Sequence, residues 1–165
     1  MTPMHRSRLT VLLAMIPGLL LAGCGDSHPP PAATPAKPIV KGVFVSARDC
    51  SDSGNGTVEA CEGAIDRAVA EHLASAPNYP SAKLCEATEG ANMCERTESK
   101  SWRPRLVAFL VTFGEPISAV PLYAHKSEPG FRNLGGKLTV LVSDEAYSFS
   151  KLALGNAEAF LQTGG

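Results

Sequence analysis

The chain has 165 residues, of which 44% are hydrophobic and 6% aromatic, with fifteen Lys and Arg against sixteen Asp and Glu. This composition suits one globular domain with a largely aliphatic core. The basic residues form no stripe or cluster, which excludes nucleic acid as an expected partner.

Residues 1–23 have the pattern of a secretory signal peptide. A short basic start precedes an apolar run at residues 9–21 and a few small residues. A transmembrane helix is disfavoured because thirteen residues span about 20 Å, less than the roughly 30 Å of a membrane core. An ordinary signal, cleaved without lipidation, is the second alternative.

The end of this signal resembles a bacterial lipobox, Leu21-Ala22-Gly23-Cys24. Cleavage after Gly23 would leave Cys24 to carry diacylglycerol on its thiol and an acyl chain such as palmitate on its amino group. The residue after Cys24 is Gly25. In Gram-negative bacteria, an Asp at this position retains a lipoprotein at the inner membrane. We therefore expect a lipid-anchored envelope protein that faces the periplasm, at the outer membrane rather than the inner one.

A Pro-rich tether is predicted at residues 24–41. It contains five prolines and little that could be buried, which is typical of a semi-extended spacer. A ligand for an aromatic groove is the less favoured alternative. A single globular domain follows at residues 42–165, and the mature chain from Cys24 carries a net charge of −3.

The main helix of the domain is predicted at residues 58–75. Apolar residues recur there at intervals of three and four, and Thr57 is a suitable N-cap. A strand at Val40–Ser46 and a polar, Gly-rich loop at Asp49–Gly56 precede it. The loop lacks the spacing of a calcium-binding loop, so we expect no metal ion there.

The rest of the domain reads as short elements separated by proline and glycine. Leu106–Phe113 is an apolar run that favours a buried strand, with a helical segment as the alternative. The other predicted elements are a short helix at Ser81–Thr88, a polar connector at Glu95–Lys100, an edge strand at Ser118–Ala124, a strand at Lys137–Ser143 and a closing helix at Ala146–Leu161. Together they predict a small disulfide-stapled α+β domain with a few antiparallel strands.

Four cysteines remain after the lipidated one, an even number that predicts disulfide bonds in an exported protein. Cys50 and Cys61 lie near the start of the main helix, whereas Cys85 follows its other end. The two ends of this helix are more than about 20 Å apart. Because a disulfide requires Cα atoms within roughly 7 Å, we expect the pairs Cys50–Cys61 and Cys85–Cys94.

A family resemblance rests on the four cysteines, on the sequence Ala76-Pro77-Asn78-Tyr79 between their pairs, and on prolines and aromatic residues that follow. Over about residues 43–125 the chain is similar to the YgiB-type bacterial lipoproteins, a family defined by domain of unknown function 1190. The resemblance implies an envelope lipoprotein without an assigned activity. The residues that carry it are Asp49, Cys50, Cys61, Cys85, Gly90, Cys94, Trp102, Pro104, Pro121, Leu122 and Tyr123.

The sequence offers no catalytic constellation and no cofactor motif. His72 and His125 have no identifiable nucleophile or acid partner, and the cysteines include no Cys-x-x-Cys motif. Trp102 and Tyr123 are candidates for a partner surface, since both are amphipathic aromatic residues, although a place in the core is the favoured alternative. We expect a non-enzymatic binding or structural module; the alternatives are a binder of a small periplasmic ligand and, less favoured, an enzyme.

Overall fold

A computed structural model of the protein describes residues 40–162. The signal peptide, the lipobox with Cys24 and all but the last two residues of the tether lie outside this part. No helix within residues 40–162 is long and apolar enough to cross a membrane.

The described chain alternates short strands with four helices. In chain order the elements are β1 (Val40–Phe44), α1 (Ala47–Ser51), α2 (Val58–Ser75), α3 (Ala82–Glu89), β2 (Cys94–Arg96), β3 (Trp102–Pro104), β4 (Ala108–Phe113), β5 (Ser118–Ala124), β6 (Gly130–Arg132), a 3₁₀ turn (Leu134–Gly136), β7 (Thr139–Leu141), β8 (Ser148–Phe149) and α4 (Lys151–Gln162). The α+β class predicted from the sequence is confirmed.

A six-stranded sheet with the order β7-β6-β5-β4-β1-β8 lies at the centre. Neighbouring strands in this sheet are antiparallel, except that β8 runs parallel to β1. Val40 at the start of β1 is paired with Phe113 at the end of β4. The turn between β4 and β5 therefore lies at the end of the sheet where the chain enters the domain. The strands β2 and β3 form a separate hairpin.

Strand β4 shows how the sheet divides two apolar clusters. Its side chains alternate between the faces of the sheet. Phe109 and Val111 pack with α1 and α2 on one face, whereas Ala108 and Leu110 pack with α4 on the other. The domain is thus a sheet between two helical layers, and β4 is buried on both sides. This explains why its sequence is a continuous apolar run.

Helix α2 has the bounds that its apolar spacing predicts. Thr57 accepts a hydrogen bond from the Ala60 N–H at 3.2 Å and begins the helix. The helix ends at Ser75, shortly before Pro77. Helix α3 likewise begins after an N-cap, Ser81, and confirms the predicted second helix.

The predicted polar loop at Asp49–Gly56 is wrong in its first part. Ser46 accepts a hydrogen bond from the Asp49 N–H and begins the short helix α1. The Asp49 carboxylate accepts from the Val45 N–H at 2.9 Å and from the Ser150 hydroxyl at 2.6 Å. These bonds join the start of α1 to β1 and to the chain before α4.

The strand predicted at Ser118–Ala124 is confirmed, but its place at the edge of the sheet is wrong. Strand β5 lies between β4 and β6. Strand β6 pairs only with Tyr123 and Ala124, so Pro121 has a neighbouring strand on one side alone. A proline, which lacks an N–H, is tolerated at such a position.

Three further elements differ in their bounds from the sequence prediction. The closing helix begins at Lys151 rather than Ala146, because β8 precedes it and Ser150 caps it by accepting from the Ala153 N–H. The first two residues of the predicted connector at Glu95–Lys100 belong instead to strand β2. The predicted strand at Lys137–Ser143 is confirmed in its central residues, as β7.

Both predicted disulfides are present. Cys50 and Cys61 join α1 to α2 with Cα atoms 6.1 Å apart. Cys85 and Cys94 join α3 to β2 with Cα atoms 6.2 Å apart. All four are buried.

Candidate functional site

The two aromatic residues that the sequence suggested as a partner surface differ in burial. Trp102 is half-buried on β3, and its backbone exchanges hydrogen bonds of 2.7 and 2.8 Å with Tyr79. Tyr123 is only 1% exposed. A partner surface that includes Tyr123 is therefore wrong, because a ring packed inside the domain cannot be presented to a partner. Its core alternative is the one observed.

His72, on the last turns of α2, is buried beside Tyr123. Its Nδ1 lies 2.8 Å from the Tyr123 hydroxyl oxygen, and its Nε2 lies 3.7 Å from Oε1 of Glu95. Because Nε2 faces a carboxylate, the proton of the neutral ring is placed there, and the Tyr123 hydroxyl donates to Nδ1. Burial lowers the pKa of His72, as does the nearby charge of Arg103, against the opposing effect of Glu95.

Charged pairs surround this histidine and tyrosine. Arg103 donates to Glu95 at 2.8 Å, and Arg132 donates to Glu89 at 2.5 Å. Burial raises the pKa of Tyr123 to about 12, with the charge of Glu71 as the next cause. We call this group the polar cluster; its members are His72, Tyr79, Glu89, Glu95, Arg103, Tyr123 and Arg132.

The polar cluster pairs most of its charged and polar side chains with one another. Its histidine is kept neutral and its tyrosine protonated, and its carboxylates are bound by arginine side chains. Tyr79 donates its hydroxyl to Glu89 at 2.7 Å, which further occupies that carboxylate. A general base needs an accessible lone pair close to a substrate. His72 Nδ1 is bonded to the Tyr123 hydroxyl, whereas His72 Nε2 and Arg132 Nε are buried without a hydrogen-bond partner among the described residues.

The other candidate is a cleft of about 810 Å³ between the start of α2 and the turn that joins β4 to β5. We call it the helix–hairpin cleft. No member of the polar cluster lines it. Its described lining residues are Val40, Asn55, Gly56, Thr57, Glu59, Ala60, Gly63, Arg67, Phe113, Gly114, Glu115, Pro116 and Ile117.

One wall of the cleft is the first three turns of α2. The pKa of Glu59 lies below its usual value because its carboxylate accepts hydrogen bonds from its own backbone N–H and from the Thr57 side chain. Ala60 and Gly63 leave the middle of this wall without large side chains, and we call this part of the wall the floor of the cleft. Arg67 ends the wall and donates to the Ile117 carbonyl oxygen at 3.1 Å, which connects it to the opposite wall.

The other wall is the β4–β5 turn with the first residue of β1. It presents the apolar side chains of Val40, Phe113, Pro116 and Ile117 together with the exposed carboxylate of Glu115. Phe113 is held by an edge-to-face contact with Phe44, with ring centroids 5.8 Å apart. The wall is therefore mostly apolar and has one charged residue.

Gly56 allows the two walls to meet at the base of the helix. A Cβ atom at this position would lie 2.9 Å from Cδ1 of Ile117 and 3.4 Å from Cε1 of Phe113. A larger residue here would require the Ile117 side chain to move. The sequence placed this glycine only in a polar loop.

The comparisons with known proteins add a family but no activity. The profile of a family described as protein of unknown function (DUF1190) matches residues 40–150. The chain belongs to this family. No curated protein and no solved structure matches it. The DUF1190 match includes both disulfides, the polar cluster and every described residue of the helix–hairpin cleft, and it ends before α4.

The DUF1190 domain brings together residues that the sequence did not single out. None of the cleft residues was predicted as a site, because the two walls are about 50 residues apart in the chain. The one local signal is Gly63 in the middle of an amphipathic helix, where glycine is unfavourable. Within the described residues, no group of three or more His, Cys, Asp or Glu is placed to hold a metal ion.

Proposed function

We propose that this protein is a non-enzymatic binding module, anchored by lipid at Cys24 to a bacterial envelope membrane and facing the periplasm. The lipobox Leu21-Ala22-Gly23-Cys24 supports the anchor. The two disulfides support an exported location, since such bonds persist in oxidising compartments. The partner is a protein or a component of the cell wall.

The helix–hairpin cleft is the observation that carries the binding role. Its volume of about 810 Å³ lies in the range of ligand sites, roughly 300–1,000 Å³. Its described lining contains no His, Cys, Ser or Lys, and its ionisable side chains are Glu59, Glu115 and Arg67. Glu59 has a lowered pKa, the opposite of what a general acid requires. The cleft therefore has the size of a binding site, and we assign its two carboxylates to ligand binding rather than to acid–base chemistry.

Mass spectrometry of the protein extracted from membranes tests the anchor. We expect an N-terminal peptide that begins at Cys24 and carries acyl chains. A Cys24→Ala variant should lack these chains and fail to give the mature form. A soluble wild-type protein whose mature chain begins at another residue would contradict the proposal.

Gly25 provides a test of the membrane. Separation of inner and outer membranes on a density gradient should place the wild-type protein in the outer fraction. The variant Gly25→Asp should move it to the inner fraction, with Gly25→Ser as the matched control. Wild-type protein in the inner fraction would show that the proposed outer-membrane location is wrong, although the anchor would stand.

A binder of a small periplasmic ligand is the second candidate function. The cleft favours it as well, because the apolar wall and the polar wall converge on one space. The two candidates differ in ligand size. A partner protein should be recovered by crosslinking in intact cells, whereas a small ligand should copurify with the protein and be released on denaturation.

A further inference from the structure

We infer that the helix–hairpin cleft binds a short peptide segment of a partner protein that presents a basic side chain next to an apolar one. This inference rests on the proposed function as a binding module and specifies its ligand. It follows from the charge, the apolar surface and the open floor of the cleft.

The charge of the cleft favours a cation. Glu59 and Glu115 both line it and are exposed, whereas Arg67 is its only described cation and already donates to the Ile117 carbonyl oxygen at 3.1 Å. The start of a helix can attract an anion through its free N–H groups. Here the Ala60 N–H donates to Thr57 and the Glu59 N–H donates to its own carboxylate, so these two groups are not free to bind an anion.

The opposite wall favours an apolar group. Phe113, Pro116 and Ile117 lie side by side on the hairpin, and Phe113 is fixed by its contact with Phe44. A ligand that spans the cleft therefore meets carboxylates and apolar side chains within the same space. An extended peptide offers this pairing because successive side chains point in different directions.

Gly63 keeps the floor of the cleft open. It lies inside α2, where glycine is less favourable than alanine. A Cβ atom at this position would meet only Arg67 Nη1, at 3.6 Å, which is an ordinary contact. No packing requirement among the described residues therefore explains this glycine. A larger side chain would occupy the space between the walls, and its absence leaves room for a ligand.

The experiment uses the full lipoprotein, purified in detergent, and a fluorescent six-residue peptide with adjacent leucine and lysine between glycine and serine. Fluorescence anisotropy should show binding of this peptide. The same peptide with acetylated lysine should bind at least about fivefold more weakly, because it has lost the charge that pairs with the carboxylates. Equal binding of both peptides would overturn the inference.

Variants of the cleft locate the binding site. The double variant Glu59→Gln and Glu115→Gln should weaken binding at least about fivefold, whereas Glu98→Gln with Glu128→Gln, exposed acids outside the cleft, should not. Gly63→Met should abolish binding by filling the floor, and Gly63→Ala should retain it. Equal effects of the two double variants, or full binding by Gly63→Met, would overturn the inference.

Two further measurements keep these outcomes distinct. Thermal unfolding shows whether each variant is folded. If the loss of Glu59 weakens the helix, the comparison of Gly63→Met with Gly63→Ala shows whether the peptide binds in the cleft. A disaccharide of N-acetylglucosamine serves as the small-ligand probe. One outcome is that the disaccharide binds to the wild type but not to Gly63→Met, while the lysine peptide does not bind at all. That result would overturn the peptide inference and support a small periplasmic ligand instead. Acylation of Cys24 is measured separately, so the anchor can stand when the inference fails.

Discussion

The hydrogen bond between Tyr123 and His72 joins two buried side chains from different layers of the domain. The Tyr123 hydroxyl and His72 Nδ1 lie 2.8 Å apart, in a region where neither side chain is more than 3% exposed. A buried polar group that loses its partner pays the full cost of desolvation. This bond therefore fixes α2 against β5 more by the penalty for breaking it than by its own strength.

Removal of the Tyr123 hydroxyl tests this view. Tyr123→Phe should lower the free energy of unfolding by about 1–3 kcal/mol, because His72 Nδ1 is left without a donor. Tyr147→Phe is the matched control, since Tyr147 packs against the other face of the sheet. Urea denaturation measures both. A loss in Tyr123→Phe no larger than that in the control would show that the bond contributes little.

The neutral state of His72 predicts a pH dependence of stability. Burial lowers its folded pKa below the ordinary value of 6.5, so the unfolded chain binds more protons as the pH falls. The free energy of unfolding should therefore decrease below about pH 6.5 and level off below the folded pKa. Arg103 adds to this effect, and Glu95 opposes it.

The variant His72→Gln isolates this contribution. Urea denaturation at several values between pH 8 and pH 5 should show a smaller loss of stability in the variant than in the wild type. Carboxyl groups titrate in both proteins, so their effect cancels in the comparison. Parallel curves for the two proteins would show that His72 does not titrate differently in the folded state.

At the scale of elements, length decided what the sequence could predict. Helix α2 has eighteen residues with a clear apolar period, and both of its ends follow from Thr57 and Pro77. Strands β2, β6 and β8 have two or three residues each, too few to show any period. Strand β8 also depends on pairing with β1, about 100 residues earlier, which local sequence does not contain.

Glycines at two positions give opposite predictions. Gly63→Ala should raise the free energy of unfolding by about 0.5–1 kcal/mol, because alanine favours a helix and its Cβ has room. Gly130→Ala should lower it by about 1–3 kcal/mol, because its Cβ would lie 2.6 Å from the Val140 carbonyl oxygen. Thermal unfolding compares the pair. Destabilisation by Gly63→Ala would indicate that this glycine has a structural role.

At the scale of the whole molecule, residues 79–105 form an arm that differs from the rest. It contains α3, β2 and β3 and is closed by the Cys85–Cys94 disulfide. None of its residues belongs to either apolar cluster of the sheet. Its contacts with the body include Glu89 with Arg132, His72 with Glu95, and Lys126 Nζ with the Thr88 carbonyl oxygen.

The pairing of the cysteines could be predicted, whereas the candidate site could not. A helix of known length separates Cys61 from Cys85, so a distance argument is enough. The cleft requires knowledge that the β4–β5 turn returns to the start of α2, where Arg67 meets Ile117. This contact between Arg67 and Ile117 results from the order of the strands in the sheet. The polar cluster is likewise assembled from elements that only the tertiary fold brings together.

The different attachment of the two disulfides leads to a prediction for the whole domain. Removal of Cys85–Cys94 by a double alanine variant should loosen the arm alone, since no arm residue belongs to either apolar cluster of the sheet. Removal of Cys50–Cys61 should affect α2 and the sheet, because both cysteines lie in an apolar cluster with Phe109 and Val111. In the chain-entropy model, each bond stabilises the fold by roughly 2–3 kcal/mol.

Hydrogen exchange followed by mass spectrometry distinguishes these two responses. In the Cys85→Ala, Cys94→Ala variant, peptides from residues 82–104 should exchange faster while those from β4 and α2 keep the wild-type rate. In the Cys50→Ala, Cys61→Ala variant, exchange should rise in α2 and β4 as well, because removing two buried side chains from their shared cluster weakens its packing. Faster exchange throughout the domain in both variants would show that the arm and the sheet unfold as one unit.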